Sequence, residues 1–183
     1  MESIKAYDQS GREIASLPSE MPIKIPFWEP PAIYQLNKNA KKEYFSLDFI
    51  AGAHQEETMF FGLIGERILP VCLKEIEAVE GPEDCLFYSG RTGSLQVEDL
   101  DKDGYVEVVT YGDEYPAGGG RGRAVALAIY RFNGEWFVSQ TSKDYDRYFA
   151  LAVAGKENII KNSERSETSV KTFEQIKDFW KGE

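Results

Sequence analysis

Four carboxylates crowd into nine consecutive residues of this chain: Asp99, Asp101, Asp103 and Glu107 in DLDKDGYVE, with Gly104 at the sixth place. Carboxylates this close repel one another unless a cation lies among them. The flanks add a second constraint. In SLQVED (94–99) before the loop and YVEVVTYG (105–112) after it, Leu95, Val97, Val106 and Val108 recur at every second place. That is the period of a strand with one buried face. The chain must therefore join two strands in register through a turn that gathers negative charge.

Calcium meets that requirement, since it takes six to eight oxygens at about 2.3–2.6 Å. Asp99, Asp101 and Asp103 stand at positions 1, 3 and 5 and can fold inward around one ion. Gly104 permits the sharp turn that lets the Tyr105 carbonyl, at position 7, face it, and Glu107 at position 9 completes the cage. An EF-hand needs a bidentate Glu at position 12 and a helix on each side. Thr110 occupies position 12 and both flanks alternate as strands, so an EF-hand is excluded. The plain alternative is an acidic hairpin turn with no ion.

VEDLDKDGYVEVVTYG resembles the calcium loop of FG-GAP and VCBS-type repeats, the blades of integrin-α-like β-propellers. Their pattern is Asp-x-Asp/Asn-x-Asp-Gly-x-x-Asp/Glu between two strands. LAIYRFNGEWFV looks like the outer hairpin of such a blade, and the resemblance covers roughly residues 94–141. It implies Asp99, Asp101, Asp103, Tyr105 through its carbonyl, and Glu107 as ligands of a structural calcium. This chain carries one such loop and no Phe-Gly…Gly-Ala-Pro signature. A complete propeller needs at least four blades of four strands, more than this length accommodates.

The rest of the chain reads as short strands. YFSLDFI (44–50), TMFFGLI (58–64), RILPVCLKEIEAV (67–79), RAVALAIYRF (123–132) and EWFVSQT (135–141) are β-branched or aromatic runs. Pro70 belongs at an edge or bulge, and Asn133-Gly134 signals a two-residue hairpin. Three hairpins with glycines at Gly11, Gly65 and Gly134 have a spacing compatible with blade-like repeats. MPIKIPFWEPP (21–31) reads as an extended connection and YPAGGGRGR (115–123) as a loop. KDYDRYFALAVAG (143–155) fits either a helix ended by Gly155 or a strand. TFEQIKDFW (172–180) has the apolar spacing of a helix, and Thr172 with Gln175 matches a capping box. The expected fold is one mainly β domain over 1–183. It is an antiparallel meander or sandwich, or incomplete propeller-like sheets, with a blade-like unit at about 94–141 and a C-terminal α-helix at about 172–181.

Function is bounded more loosely. A net charge of −10 disfavours nucleic acid. No apolar run reaches the roughly 18 residues of a membrane span, and no signal peptide is visible. The protein is thus cytosolic, or a mature form whose export signal was replaced by a start Met. The calcium loop favours the second, in the periplasm or outside the cell. Cys72 and Cys85 either form a disulfide or are two buried thiols in neighbouring strands. No nucleophile elbow, Walker loop or dinucleotide fingerprint marks an enzyme, and the single histidine, His54, has no evident partner. The expectation is a non-catalytic, calcium-stabilised extracytoplasmic module that binds a protein or glycan. The alternative is a small secreted hydrolase or enzyme inhibitor that uses the loop as a structural clip.

Overall fold

Strand-period runs separated by glycine turns pair with their neighbours, because each must bury one face and satisfy its backbone. The computed structural model describes residues 5–16, 32–50, 55–73, 85–90, 95–114, 123–140, 142–156 and 159–161. The expected helix at 172–181, His54, the 21–31 connection and most of the 115–123 loop lie outside these residues.

The strands are β1 (Lys5–Tyr7), β2 (Glu13–Ser16), β3 (Ala32–Tyr34), β4 (Tyr44–Ile50), β5 (Gln55–Ile64), β6 (Arg67–Val71), β7 (Leu86–Gly90), β8 (Gln96–Glu98), β9 (Glu107–Glu114), β10 (Arg123–Phe132), β11 (Phe137–Ser139) and β12 (Ile159–Lys161). They form two sheets. The first has the order β1-β2-β6-β5-β4-β3, with β7 also on β5. The second is β11-β10-β9-β8, a consecutive antiparallel meander, with β12 parallel to β10. The mainly β, largely antiparallel fold expected from the sequence is therefore present.

An aromatic core joins the sheets. Phe60 and Phe87 of the first sheet meet Tyr130, Phe132 and Phe137 of the second, all buried. Phe87 packs edge-on against Phe60, Tyr130 and Phe137, with centroids 4.9–5.2 Å apart, the geometry aromatic quadrupoles favour. The segment left open between helix and strand is a helix, α1 (Ser142–Ala152), and Gly155 beyond it has φ +75°. Tyr145, Tyr148 and Ala152 of α1 pack with Leu100, Val109, Tyr111, Ala126 and Ile129 on the outer face of the second sheet. No helix among the described residues is long and apolar enough to cross a membrane.

Three local features refine the sequence reading. The β10–β11 turn is closed by Asn133 N–H donating to the Trp136 carbonyl at 3.0 Å, so it centres on Gly134 and Glu135, not on Asn133-Gly134. Among the described residues β2 pairs with β6 only at Arg67, and Pro70 of β6 stands opposite Phe61 of β5. A bulge between Ala126 and Ala128 puts both Leu127 and Ala128 in the interior core. The buried Thr110 hydroxyl accepts from Ala128 N–H there at 3.1 Å. Of the three glycine hairpins, β1–β2 and β5–β6 share one sheet, so their spacing does not mark separate blades.

Cys72, just after β6, and Cys85, just before β7, form a disulfide across a separation of 13 residues. Beside it, Phe137 N–H donates to the Cys72 carbonyl at 3.0 Å, tying this corner to the second sheet.

Candidate metal centre

The 99–106 turn links β8 to β9 and folds through a chain of local hydrogen bonds. Gly104 N–H donates to Asp99 Oδ2 (3.3 Å), Asp103 N–H to Asp101 Oδ1 (3.2 Å), Tyr105 N–H to Asp103 Oδ1 (2.9 Å) and Leu100 N–H to Glu107 Oε2 (2.9 Å). Each acid thus spends acceptor capacity on the backbone and keeps some in reserve. Lys102 and Gly104 take positive φ, 63° and 95°. At Gly104 a Cβ would also collide with the Asn39 side-chain amide.

The segment between β3 and β4 braces the turn from the far side. Lys38 N–H donates to the Gly104 carbonyl at 2.8 Å, and Val106 N–H to the Leu36 carbonyl at 3.0 Å. The turn is thereby drawn against the protein body.

Asp99, Asp101 and Glu107 converge, offering ligand oxygens that all lie within 4.8 Å of one another. Their side chains are 4%, 7% and 0% exposed. Asp103 stands apart at 38%: its Oδ2 pairs with the Arg131 guanidinium and its Oδ1 with the Tyr105 N–H. Burial works to raise the Asp103 pKa, but these partners prevail and hold it below the ordinary value. The Tyr105 ring lies under Arg131, 5.1 Å from centroid to guanidinium carbon. Of the four carboxylates expected from the sequence, Asp99, Asp101 and Glu107 form the cluster, and Asp103 lies on its arginine-facing rim beside the Tyr105 ring.

Among the described residues, three cations flank the four acids. Lys38 Nζ is 3.1 Å from Asp99 Oδ2, Arg147 Nη2 is 2.9 Å from Asp101 Oδ2, and Arg131 Nε is 3.5 Å from Glu107 Oε1. Tyr148 Oη also donates to Asp101 Oδ2, at 3.0 Å. These partners come from distant parts of the chain, and the loop's spacing carries no sign of them. Arg131 alone had a signal: once β9 and β10 pair, the register places it opposite Glu107.

Two buried oxygens remain without a hydrogen-bond donor, Asp99 Oδ1 and Glu107 Oε1. The Arg131 contact to Oε1 supplies charge but not hydrogen-bond geometry. Burial pushes the Glu107 pKa up to about 7; the Leu100 N–H opposes this, and the charges of Asp101 and Asp103 reinforce it. Buried acceptors are almost always satisfied, and an orphaned carboxylate oxygen costs more than a neutral one. A divalent cation would satisfy both oxygens, and the all-oxygen donor set suits a hard ion. The residues present fit a hard divalent cation.

The chain matches no protein-family model, no curated protein and no solved structure.

Proposed function

We propose that this chain is a non-catalytic, calcium-stabilised β-module in which one calcium ion holds the 99–107 turn and so fixes the register of β8 and β9. The observation that carries this reading is the pair of buried, donor-less oxygens, Asp99 Oδ1 and Glu107 Oε1, within the Asp99–Asp101–Glu107 cluster. Lys38 and Arg147 have side chains 57% and 59% exposed, so both can swing into water as a dication enters. The resemblance of the turn to FG-GAP and VCBS-type loops supports calcium over other hard cations, and the loop, the β-rich pattern and the acidity favour a module that binds a protein or glycan. The Cys72–Cys85 disulfide supports an extracytoplasmic setting, where such bonds persist and calcium is plentiful.

The ion's role here is stability. With an affinity of about 0.1 mM and about 1 mM free calcium, binding to the native state adds about 1.4 kcal/mol. That is small beside a typical total of roughly 5–15 kcal/mol, so the calcium-free protein stays folded but melts earlier. The test is a melting curve in EDTA against one in calcium, for wild type and Asp101→Ala. Wild type shifts upward with calcium and Asp101→Ala does not. No shift in wild type makes the turn merely acidic.

A further inference from the structure

Among the described residues, Asp101 is the member of the cluster held by α1. Its Oδ2 accepts from both Tyr148 Oη (3.0 Å) and Arg147 Nη2 (2.9 Å), which fills the two lone pairs of that oxygen. Among the described residues its Oδ1 accepts only the longer bond from Asp103 N–H at 3.2 Å and keeps capacity to spare. The carboxylate is thus clamped at one oxygen and left open at the other.

Tyr148 is built into the fold and Arg147 is not. The Tyr148 ring is buried among Leu100, Val109 and Ile129, so its hydroxyl arrives at Asp101 on a fixed lever. Arg147 reaches the same oxygen from solvent. The two also differ toward a dication: a neutral hydroxyl orients the carboxylate without repelling the ion, whereas a guanidinium orients it and repels.

We propose that Tyr148 is a positioning residue of the cation site: its hydroxyl holds Asp101 Oδ2 against α1, so that Oδ1 is presented to calcium. This rests on the cation reading above. Groups that orient a metal's ligands typically change affinity by about 10–100-fold when removed. The site would then be assembled from two parts, the turn itself and a helix that begins more than thirty residues later, and docking of α1 would tighten the ion.

The same helix supplies an internal control. Tyr145 is similarly buried, and its hydroxyl donates at 2.8 Å to the Ala126 carbonyl of β10. Calcium binding to the full chain is measured by titration calorimetry for wild type, Tyr148→Phe and Tyr145→Phe, with melting curves in EDTA alongside. Tyr148→Phe is expected to bind calcium at least about tenfold more weakly, and it also melts earlier in EDTA because a hydrogen bond to a carboxylate is lost. Tyr145→Phe should melt earlier and bind as wild type does. If Tyr148→Phe binds as tightly as wild type, or if Tyr145→Phe weakens binding equally, the positioning role is overturned and the cation site stands. If wild type itself binds no calcium, the cation reading falls and this inference falls with it.

Discussion

Arg131 and Glu107 face each other across the β9–β10 ladder, yet the guanidinium Nε lies 3.5 Å from Glu107 Oε1, outside hydrogen-bond geometry. Oε2 of this buried carboxylate accepts from Leu100 N–H, but Oε1 has a countercharge without a donor. A point charge offsets part of the desolvation cost, but the lone pairs of Oε1 still lack a partner. Arg131 is meanwhile committed to Asp103, so it cannot move fully toward Glu107 without breaking that pair. This arrangement makes Glu107 the most sensitive element of the site.

The first consequence is a pH dependence of the calcium-free protein. The Glu107 pKa in the folded state is about 7, above its ordinary value of 4.5. The folded state therefore holds this proton more tightly than the unfolded state does. Stability is unaffected well below pH 4.5, declines as pH rises through the interval, and by pH 8 is lower by about 3 kcal/mol from this group alone. Urea unfolding in EDTA at pH 5, 6, 7 and 8 measures the decline. The Glu107→Gln protein keeps the shape without the charge, so it should lack this component and lose the calcium-dependent shift. The same pH slope in both proteins would contradict the assignment.

Gly104→Ala tests the turn. The substitution meets a positive φ, which costs an L-residue about 1–2 kcal/mol, and a collision with the Asn39 amide. Gly11→Ala meets a similar φ of 81° with nothing within 4 Å. Chemical denaturation should therefore show Gly104→Ala losing more stability than Gly11→Ala, and only Gly104→Ala should lower calcium affinity. Equal losses with calcium binding intact would mean that the close approach of the Asn39 amide to Gly104 has no energetic weight.

The disulfide closes a short loop between the two sheet-1 strands β6 and β7. Replacing both cysteines by serine should cost about 3 kcal/mol, read as a lower denaturation midpoint. In protein purified unreduced from its native host, mass spectrometry should find the mass lower by the two hydrogens lost on oxidation. Free thiols there would count against the extracytoplasmic setting.

Much of the fold was legible because alternation is a local signal. The RAVALAIYRF run coincides with β10, and YFSLDFI with β4. α1 was ambiguous, since Tyr145, Tyr148 and Phe149 carry β-favouring side chains and only the docking against the second sheet decides for helix. The acids of the site were legible from spacing. Their division was not: whether Asp103 turns inward or toward Arg131 depends on a residue 28 positions away, brought near by the β9–β10 register. Tyr148 and Lys38 were invisible for the same reason, as contacts made by packing leave no periodic trace.

The most direct measurement of the central claim is a crystal structure of the full chain grown in calcium, with anomalous scattering recorded to identify the ion. One calcium is expected, with Asp99 Oδ1, Glu107 Oε1 and an Asp101 oxygen at about 2.3–2.6 Å and Lys38 turned away from Asp99. A turn that holds no ion at high calcium, with a water or Arg131 satisfying both orphaned oxygens, would contradict the claim.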